Sequence, residues 1–338
     1  MTSTALVIAV ALVTPVLAAA TATPASADTV VNGCTIVSNP TPTNFTNCPG
    51  ADLGNGVDLS GVDLSYANLS GAIFVDCTTN SVPVTTCAAA NLSGANLTGA
   101  NLSGATFVFC SGPQFPSLTC DSAILSNANM TGANLSGASL FFSDGGLHGL
   151  IQDGVDMSGA ILSGANMGGV DISENDLTGA TLTDANLQGA VLGGVGLANA
   201  NLSGADLTNA TFTFSSVFGP MGGTLTGANL TGTNLTGVDL TGVDLTGSTL
   251  AGANLTGTLL VPTDQTATAT SHKGLAVSWP PAPSLPGATP GSCTPPSGST
   301  FPVGTTTVTC QVLDNQGGVA TGTLTVTVLP PVKTHGHK

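Results

Sequence analysis

The sequence predicts an all-β protein: a long coil of short extended segments, followed by a small disulfide-linked β module. Three observations predict it. A five-residue unit, Ala-Asn/Asp-Leu-Ser/Thr-Gly, recurs over residues 51–260, a period that fits neither a helix nor a long strand. Gly is abundant, at 45 of 338 residues, and closes each unit, as a chain that turns every five residues requires. Beyond residue 261 the repeat gives way to a Pro/Thr-rich region that ends in an alternating strand over residues 322–329, bounded by Gly and Pro.

The first 27 residues read as an export signal. Residues 6–20 are apolar, and Ala25-Ser26-Ala27 before Asp28 has the small-x-small form of a cleavage site. The basic residues that usually precede such a core are missing from Met1 to Thr4, and a start upstream would supply them. Residues 28–50 are expected to form an N-terminal cap linked by Cys34 and Cys48. The eight cysteines fall in four local pairs, Cys34/Cys48, Cys77/Cys87, Cys110/Cys120 and Cys293/Cys310. An even count at close spacing behind a signal reads as disulfides formed in an oxidising compartment. Zinc is the competing reading, although no CxxC occurs and the four histidines are scattered.

Within the repeat, Ala90-Asn91-Leu92-Ser93-Gly94 is followed by Ala95-Asn96-Leu97-Thr98-Gly99. Ala and Leu alternate with polar neighbours, which places two side chains of each unit inward. These residues resemble the pentapeptide-repeat family. The resemblance implies that four units make one square coil of a right-handed quadrilateral β-helix, a solenoid of about eight coils here. The central residues support four units per coil. They run Leu59, Leu64, Leu69, Phe74, resume at Leu92 to Phe107, again at Leu125 to Leu140, then run from Met157 to Phe212 and from Leu225 to Leu260. Each interruption follows a multiple of four units, so the four insertions leave from one corner. The residue before the centre on the third face reads Asn68, Asn101, Asn134, Asn166, Asn186, Asp206, Asn234, Asn254. Such a column is expected to form a hydrogen-bonded amide ladder. Coils about 4.8 Å apart give a stack roughly 38 Å long, whose open ends need caps. The repeat also generates Asn-Leu-Ser/Thr sequons such as Asn96-Leu97-Thr98. They read as by-products of the repeat, with glycan attachment as the alternative.

The insertions carry the one candidate site. Phe109, Phe115, Phe141, Phe142, Phe214 and Phe218 lie within them, as an apolar interaction patch along one edge of the stack. The competing reading folds the loops down and buries those rings over the adjacent face.

The run Pro295-Pro296-Ser297-Gly298-Ser299-Thr300-Phe301-Pro302-Val303-Gly304, continuing to Cys310, resembles the hyalin-repeat (HYR) domain, an immunoglobulin-like module of extracellular adhesion proteins. The resemblance is weaker over residues 262–290. It implies a small immunoglobulin-like β-sandwich over residues 261–330 and a Cys293–Cys310 disulfide. Residues 331–338, with His335 and His337, are expected to be a disordered tail.

Composition excludes several functions. Net charge is −15, with three Lys and no Arg, so no nucleic-acid partner is expected. After the N-terminus no apolar run is long enough to span a membrane. His148 and His272 are isolated, and no histidine is placed as a base beside a nucleophile. Asp58/Asp63 and Asp239/Asp244 are five apart, hence on adjacent faces, and nothing resembles a calcium loop. No enzyme activity, cofactor or metal is expected. The leading reading is a secreted structural or interaction protein, extracellular or in the cell wall, whose partner is a protein or surface component. Two other readings stand beside it. One is an acidic DNA mimic acting on topoisomerases (gyrase), since residues 51–260 hold fifteen Asp/Glu and no Lys or Arg. The other is a Ser/Thr lattice that binds ice or another crystal surface.

Overall fold

A computed structural model describes residues 28–54, 56–78, 86–111, 119–140, 155–216, 219–222 and 224–331. The expected signal at residues 1–27 and all but the first residue of the expected tail lie outside them. Every regular element among the described residues is a strand.

Each five-residue unit builds one face of a coil. Leu177, Leu182, Leu187 and Leu192, the centres of four successive units, are at most 1% exposed, as are Ala180, Ala185 and Ala190 two residues before three of them. The residue between each pair, most often a polar one, points outward and forms a parallel bridge to the equivalent residue one coil on. Asp176 pairs with Gly196, Thr181 with Asn201, Asn186 with Asp206 and Val191 with Thr211. These partners are twenty residues apart, so four units complete a turn and four columns of bridges run along the stack. Leu182 N donates to Asn201 O at 2.6 Å, and Asn201 N returns to Ala180 O at 2.9 Å. Burying each Leu stabilises by about 1.5–3 kcal/mol.

The turns account for the rest of the unit. Where Asn or Asp precedes the centre, its Oδ1 accepts the N–H two residues on, as from Thr178 N to Asp176 at 2.9 Å and Thr231 N to Asn229 at 3.0 Å. This is a local Asx turn. The next residue takes positive φ, which favours Gly. Six corners hold another residue there: Tyr66, Asn127, Glu174, Asp184, Asn199 and Asn209. Each has Gly at the same corner of the following coil: Gly99, Gly159, Gly194, Gly204, Gly227 and Gly237. The reason is steric. A Cβ on Gly159, Gly204, Gly227 or Gly237 would overlap the Oδ1 of the Asn or Asp in the coil before, and the Tyr66 ring covers Gly99.

The chain leaves the stack after Phe74, Phe107, Leu140 and Phe212, all centres of the fourth face and all fully buried. Three of the excursions begin and end as antiparallel pairs: β3 (Val75–Thr78) with β4 (Thr86–Ala89), β5 (Val108–Ser111) with β6 (Thr119–Ser122), and β7 (Thr213–Ser216) with β8 (Gly219–Gly222). Beneath the first two, Phe74 and Phe107 stack with ring centroids 4.7 Å apart. At the N-terminal end β1 (Thr29–Val31) and β2 (Cys34–Ile36) form a hairpin. Its Cys34 and Ile36 join the buried core, and Cys34 is disulfide-bonded to Cys48. Asn47 and Asp52 already bridge to Asn68 and Ile73 of the first full coil.

The C-terminal module contains β9 (Gln265–Thr268), β10 (Leu275–Ala276), β11 (Ala288–Thr294), β12 (Thr300–Phe301), β13 (Gly304–Asp314) and β14 (Val319–Leu329). The main sheet runs β11-β13-β14-β9, with β9 parallel to β14 and the other pairs antiparallel; β10 and β12 form a separate pair. Alternation along β13 and β14 buries Val308, Val312, Ala320, Leu324, Val326 and Val328. Cys293 and Cys310 are directly opposed on β11 and β13 and disulfide-bonded.

This module seats on the last coil and satisfies its open backbone. On the first face, Leu245 N donates to Pro286 O at 2.9 Å. On the second, Leu250 N donates to the buried Asp314 carboxylate at 2.6 Å, which also takes Gly318 N at 2.6 Å and Gln316 N at 2.9 Å. On the third, β14 continues the stack: Asn254 bridges to Thr321, and Leu255 N donates to Thr321 O at 2.7 Å. An unpaired row of backbone groups at a sheet or coil end is costly and adhesive, and these contacts satisfy part of it on three of the four faces.

Candidate functional site

The third face is a ladder of side chains, interrupted once between Asn186 and Asp206. Asn101 Nδ2 donates to Asn68 Oδ1 at 3.3 Å, Asn134 to Asn101 at 3.3 Å, Asn166 to Asn134 at 3.1 Å and Asn186 to Asn166 at 2.9 Å. All donors point toward the N-terminal end. Beyond the first coil Asn68 donates to Asn47 at 2.9 Å, a rung that the sequence pattern hides because Cys48 and Pro49 follow it. Asp206 has no amide hydrogen with which to continue the row. The Gln188 Nε2 donates to its carboxylate instead, at 2.5 Å, and Asn234 Nδ2 donates to it from the other side at 3.1 Å. Asn254 Nδ2 then reaches Asn234 at 3.3 Å.

The charges follow from the same geometry. Burial opposes ionisation of Asp206, but the Thr208 hydroxyl, the Gln188 amide, the Thr208 N–H and the Asn234 amide outweigh it and hold its pKa below the usual value. Hydroxyl and backbone donors from Ser60, Thr241 and Thr246 lower Asp58, Asp239 and Asp244 in the same way. Among the described residues no group of His, Cys, Asp and Glu is arranged to hold a metal.

One polar residue breaks the inward pattern. Asn175 stands where Ala or Val is usual and is fully buried. Its Oδ1 accepts Val155 N at 2.7 Å, where the chain rejoins the stack after the third insertion, and its Nδ2 has no partner among the described residues. An Asn at an Ala position is a visible signal in the sequence, though its role there is not.

The Phe patch is not assembled by what is described. Phe115, Phe141, Phe142 and Phe218 lie outside the described residues, and for Phe109 and Phe214 only the strand backbone is placed. The strand register sets Cys77 opposite Cys87 and Cys110 opposite Cys120.

Four-unit coils flanked at both ends by disulfide-linked segments define a repeat scaffold. Residues 44–78, 85–111, 119–141, 153–179, 176–213 and 225–260, over half of the chain, match the model for pentapeptide repeats, in eight copies, and residues 285–328 match the HYR domain. The chain belongs to the pentapeptide-repeat family. Among solved structures it is similar to HetL, a pentapeptide repeat protein involved in heterocyst differentiation regulation from the cyanobacterium Nostoc sp. strain PCC 7120, at 20% identity over 60% of this chain and 84% of HetL, TM-score 0.24. QnrB1, a plasmid-mediated fluoroquinolone resistance protein, is similar at 21% identity over 58% of this chain and 77% of its own, TM-score 0.30. Rfr23, a pentapeptide repeat protein from the cyanobacterium Cyanothece 51142, is similar at 29% identity over 48% and 89%, TM-score 0.19. No curated protein sequence matches. Among the described residues no helix is long and apolar enough to cross a membrane.

Proposed function

We propose that the chain is an exported, non-catalytic interaction protein that binds a protein or surface component. In this reading residues 1–27 are the signal, 28–50 the N-terminal cap, 51–260 a right-handed quadrilateral β-helix with four insertions at one corner, 261–330 an immunoglobulin-like HYR module, and 331–338 a disordered tail. The Cys77–Cys87 and Cys110–Cys120 disulfides staple two of the insertions, and the Phe-rich loops join the HYR-like module in contacting the partner.

The observation that carries this reading is the HYR match on a module whose Cys293 and Cys310 are bonded. A second supports it. The third-face amides spend their donors and acceptors on one another and on the turns, which suits a rigid scaffold that presents its ends and loops. A pull-down with the mature protein, run in parallel on surface and cytosolic fractions of the native host, tests it. The expected result is a component retained from the surface fraction alone; retention of none from the surface fraction contradicts it.

The acidic-mimic reading draws on the net charge of −15. Most of the carboxylates that form bridges are on the first and fourth faces, as at Asp58, Asp156, Asp176, Asp244, Asp171 and Asp239, while the second face has Asp63 and the third Asp206. A gyrase supercoiling assay separates the two readings. The crystal-surface reading meets a physical objection. The Ser70, Thr98, Thr131, Thr236 and Thr256 hydroxyls donate to their own turn amides, so they are not free to order a lattice. A thermal-hysteresis measurement decides it.

A further inference from the structure

Residues 261–284 fall between the two family matches, which end at 260 and begin at 285. They carry the chain's single Trp, Trp279, followed by Pro280-Pro281-Ala282-Pro283. Residues 279–286 form a strap fixed at both ends. At its start Trp279 N donates to Ser297 Oγ at 2.9 Å, and that hydroxyl donates to Trp279 O at 3.2 Å. The indole is 8% exposed, with its ring centroid 6.1 Å from that of Phe301. At its far end Leu285 bridges Ala288, and Pro286 O takes the Leu245 N–H of the stack. Between these anchors Pro281 and Ala282 border two clefts, of about 480 Å³ toward the stack and about 440 Å³ toward the module.

The module-side cleft has a definite chemistry. Trp279, Leu260 and four prolines supply apolar walls, and no charged residue lines it. Ser297 is spent on holding the strap, but the Ser284 and Ser292 hydroxyls and the Gln311 amide line the cleft without a hydrogen-bond partner among the described residues. A mostly apolar concavity with a few uncommitted polar groups is the usual form of a small-ligand site. With no charged residue in its lining, the cleft offers nothing to pair with a charged group, and its apolar wall with Ser284, Ser292 and Gln311 at the rim matches a neutral ligand that has one apolar face and several hydroxyls.

We propose that this junction cleft binds a neutral saccharide unit, its apolar ring face against the proline wall beside the edge of Trp279 and its hydroxyls on Gln311, Ser284 and Ser292. The proposal rests on the surface-binding reading above and gives that partner a chemical class. Trp279, as the single indole, reports on the site. The test is a titration of the full mature protein with cellobiose, maltose and di-N-acetylchitobiose, with glucuronate as the charged comparison, followed by intrinsic fluorescence. The expected result is a saturable change with at least one neutral sugar and none with glucuronate. Gln311→Ala should weaken half-saturation about threefold to tenfold, the net loss of one hydrogen bond, while leaving the sugar-free emission unchanged. If that variant shifts the sugar-free emission, Ser292→Ala takes its place with the same expectation. No saturable change with any neutral sugar, an equal response to glucuronate, or a variant that binds like the parent overturns the proposal. Loss of the sugar response with retention from the surface fraction intact overturns the cleft alone; loss of both overturns the surface-binding reading as well.

Discussion

Gly204→Ala is the sharpest test of how the coils are stacked. Gly204 has φ +71°, and Asp184, at the same corner twenty residues earlier, has φ +55°. A Cβ on Gly204 would overlap the Asp184 carboxylate oxygen, whereas a Cβ on Gly232, the next residue of that corner, would find nothing nearer than Gly204 N at 4.0 Å. Both substitutions incur the left-handed backbone cost of about 1–2 kcal/mol. Only Gly204→Ala must also displace the carboxyl, for about 1–3 kcal/mol more. In Asp184→Gly/Gly204→Ala the overlap is gone, and the double variant should return to the loss seen for Gly232→Ala. Chemical denaturation followed by far-UV circular dichroism measures all three. Equal losses for Gly204→Ala and Gly232→Ala, or no rescue by Asp184→Gly, would refute the twenty-residue register.

Three other consequences follow from the contacts. Asp314→Ala strips the acceptor from Leu250, Gly318 and Gln316 N–H groups at the module junction, and should cost about 2–4 kcal/mol and open residues 261–284 to limited proteolysis; an unchanged melting temperature and digestion pattern would contradict this. Asn134→Ala removes two ladder bonds and a turn bond and should lower stability by about 1–3 kcal/mol, where a surface-neutral result in thermal melts would show the ladder to be idle. The lowered pKa values of Asp58, Asp206, Asp239 and Asp244 mean that the unfolded chain takes up protons first as pH falls. Their contribution is therefore complete above the ordinary Asp value of 3.8 and is lost as pH drops through the lowered folded values. Melting temperature should fall on acidification through that window, and fall less in Asp239→Asn/Asp244→Asn; an equal fall in parent and variant would contradict it.

The all-β class and the coil period were legible because they rest on spacing. Leu59 to Phe74 and the resumptions at Leu92, Leu125, Met157 and Leu225 mark where the stack pauses, and two side chains buried in every five residues leave little alternative. The rung at Asn47 was not legible, since Cys48-Pro49 replaces the Leu-Ser that would announce it. The pairing of each non-Gly corner residue with Gly one coil later is present in the letters, as in Asp184 and Gly204, but it becomes a rule only when the two corners are superposed in space. The role of Asn175 depends on the backbone N–H of Val155 arriving from an insertion, which no local pattern encodes. The seating of β14 on the last coil and the Asp314 carboxylate on Leu250 N are contacts between segments more than sixty residues apart. Periodicity cannot reach them, and neither can it find the cleft beside Trp279.

The central claim, that this is an exported and disulfide-linked interaction protein, is tested most directly by fractionating the native host and mapping the mature chain by intact mass and N-terminal sequencing. The account predicts a chain that begins at Asp28, lies outside the cytoplasmic membrane and has no free thiol among its eight cysteines. A cytoplasmic chain that retains Met1 and carries reduced thiols would contradict it and turn attention to the acidic stack as a topoisomerase ligand.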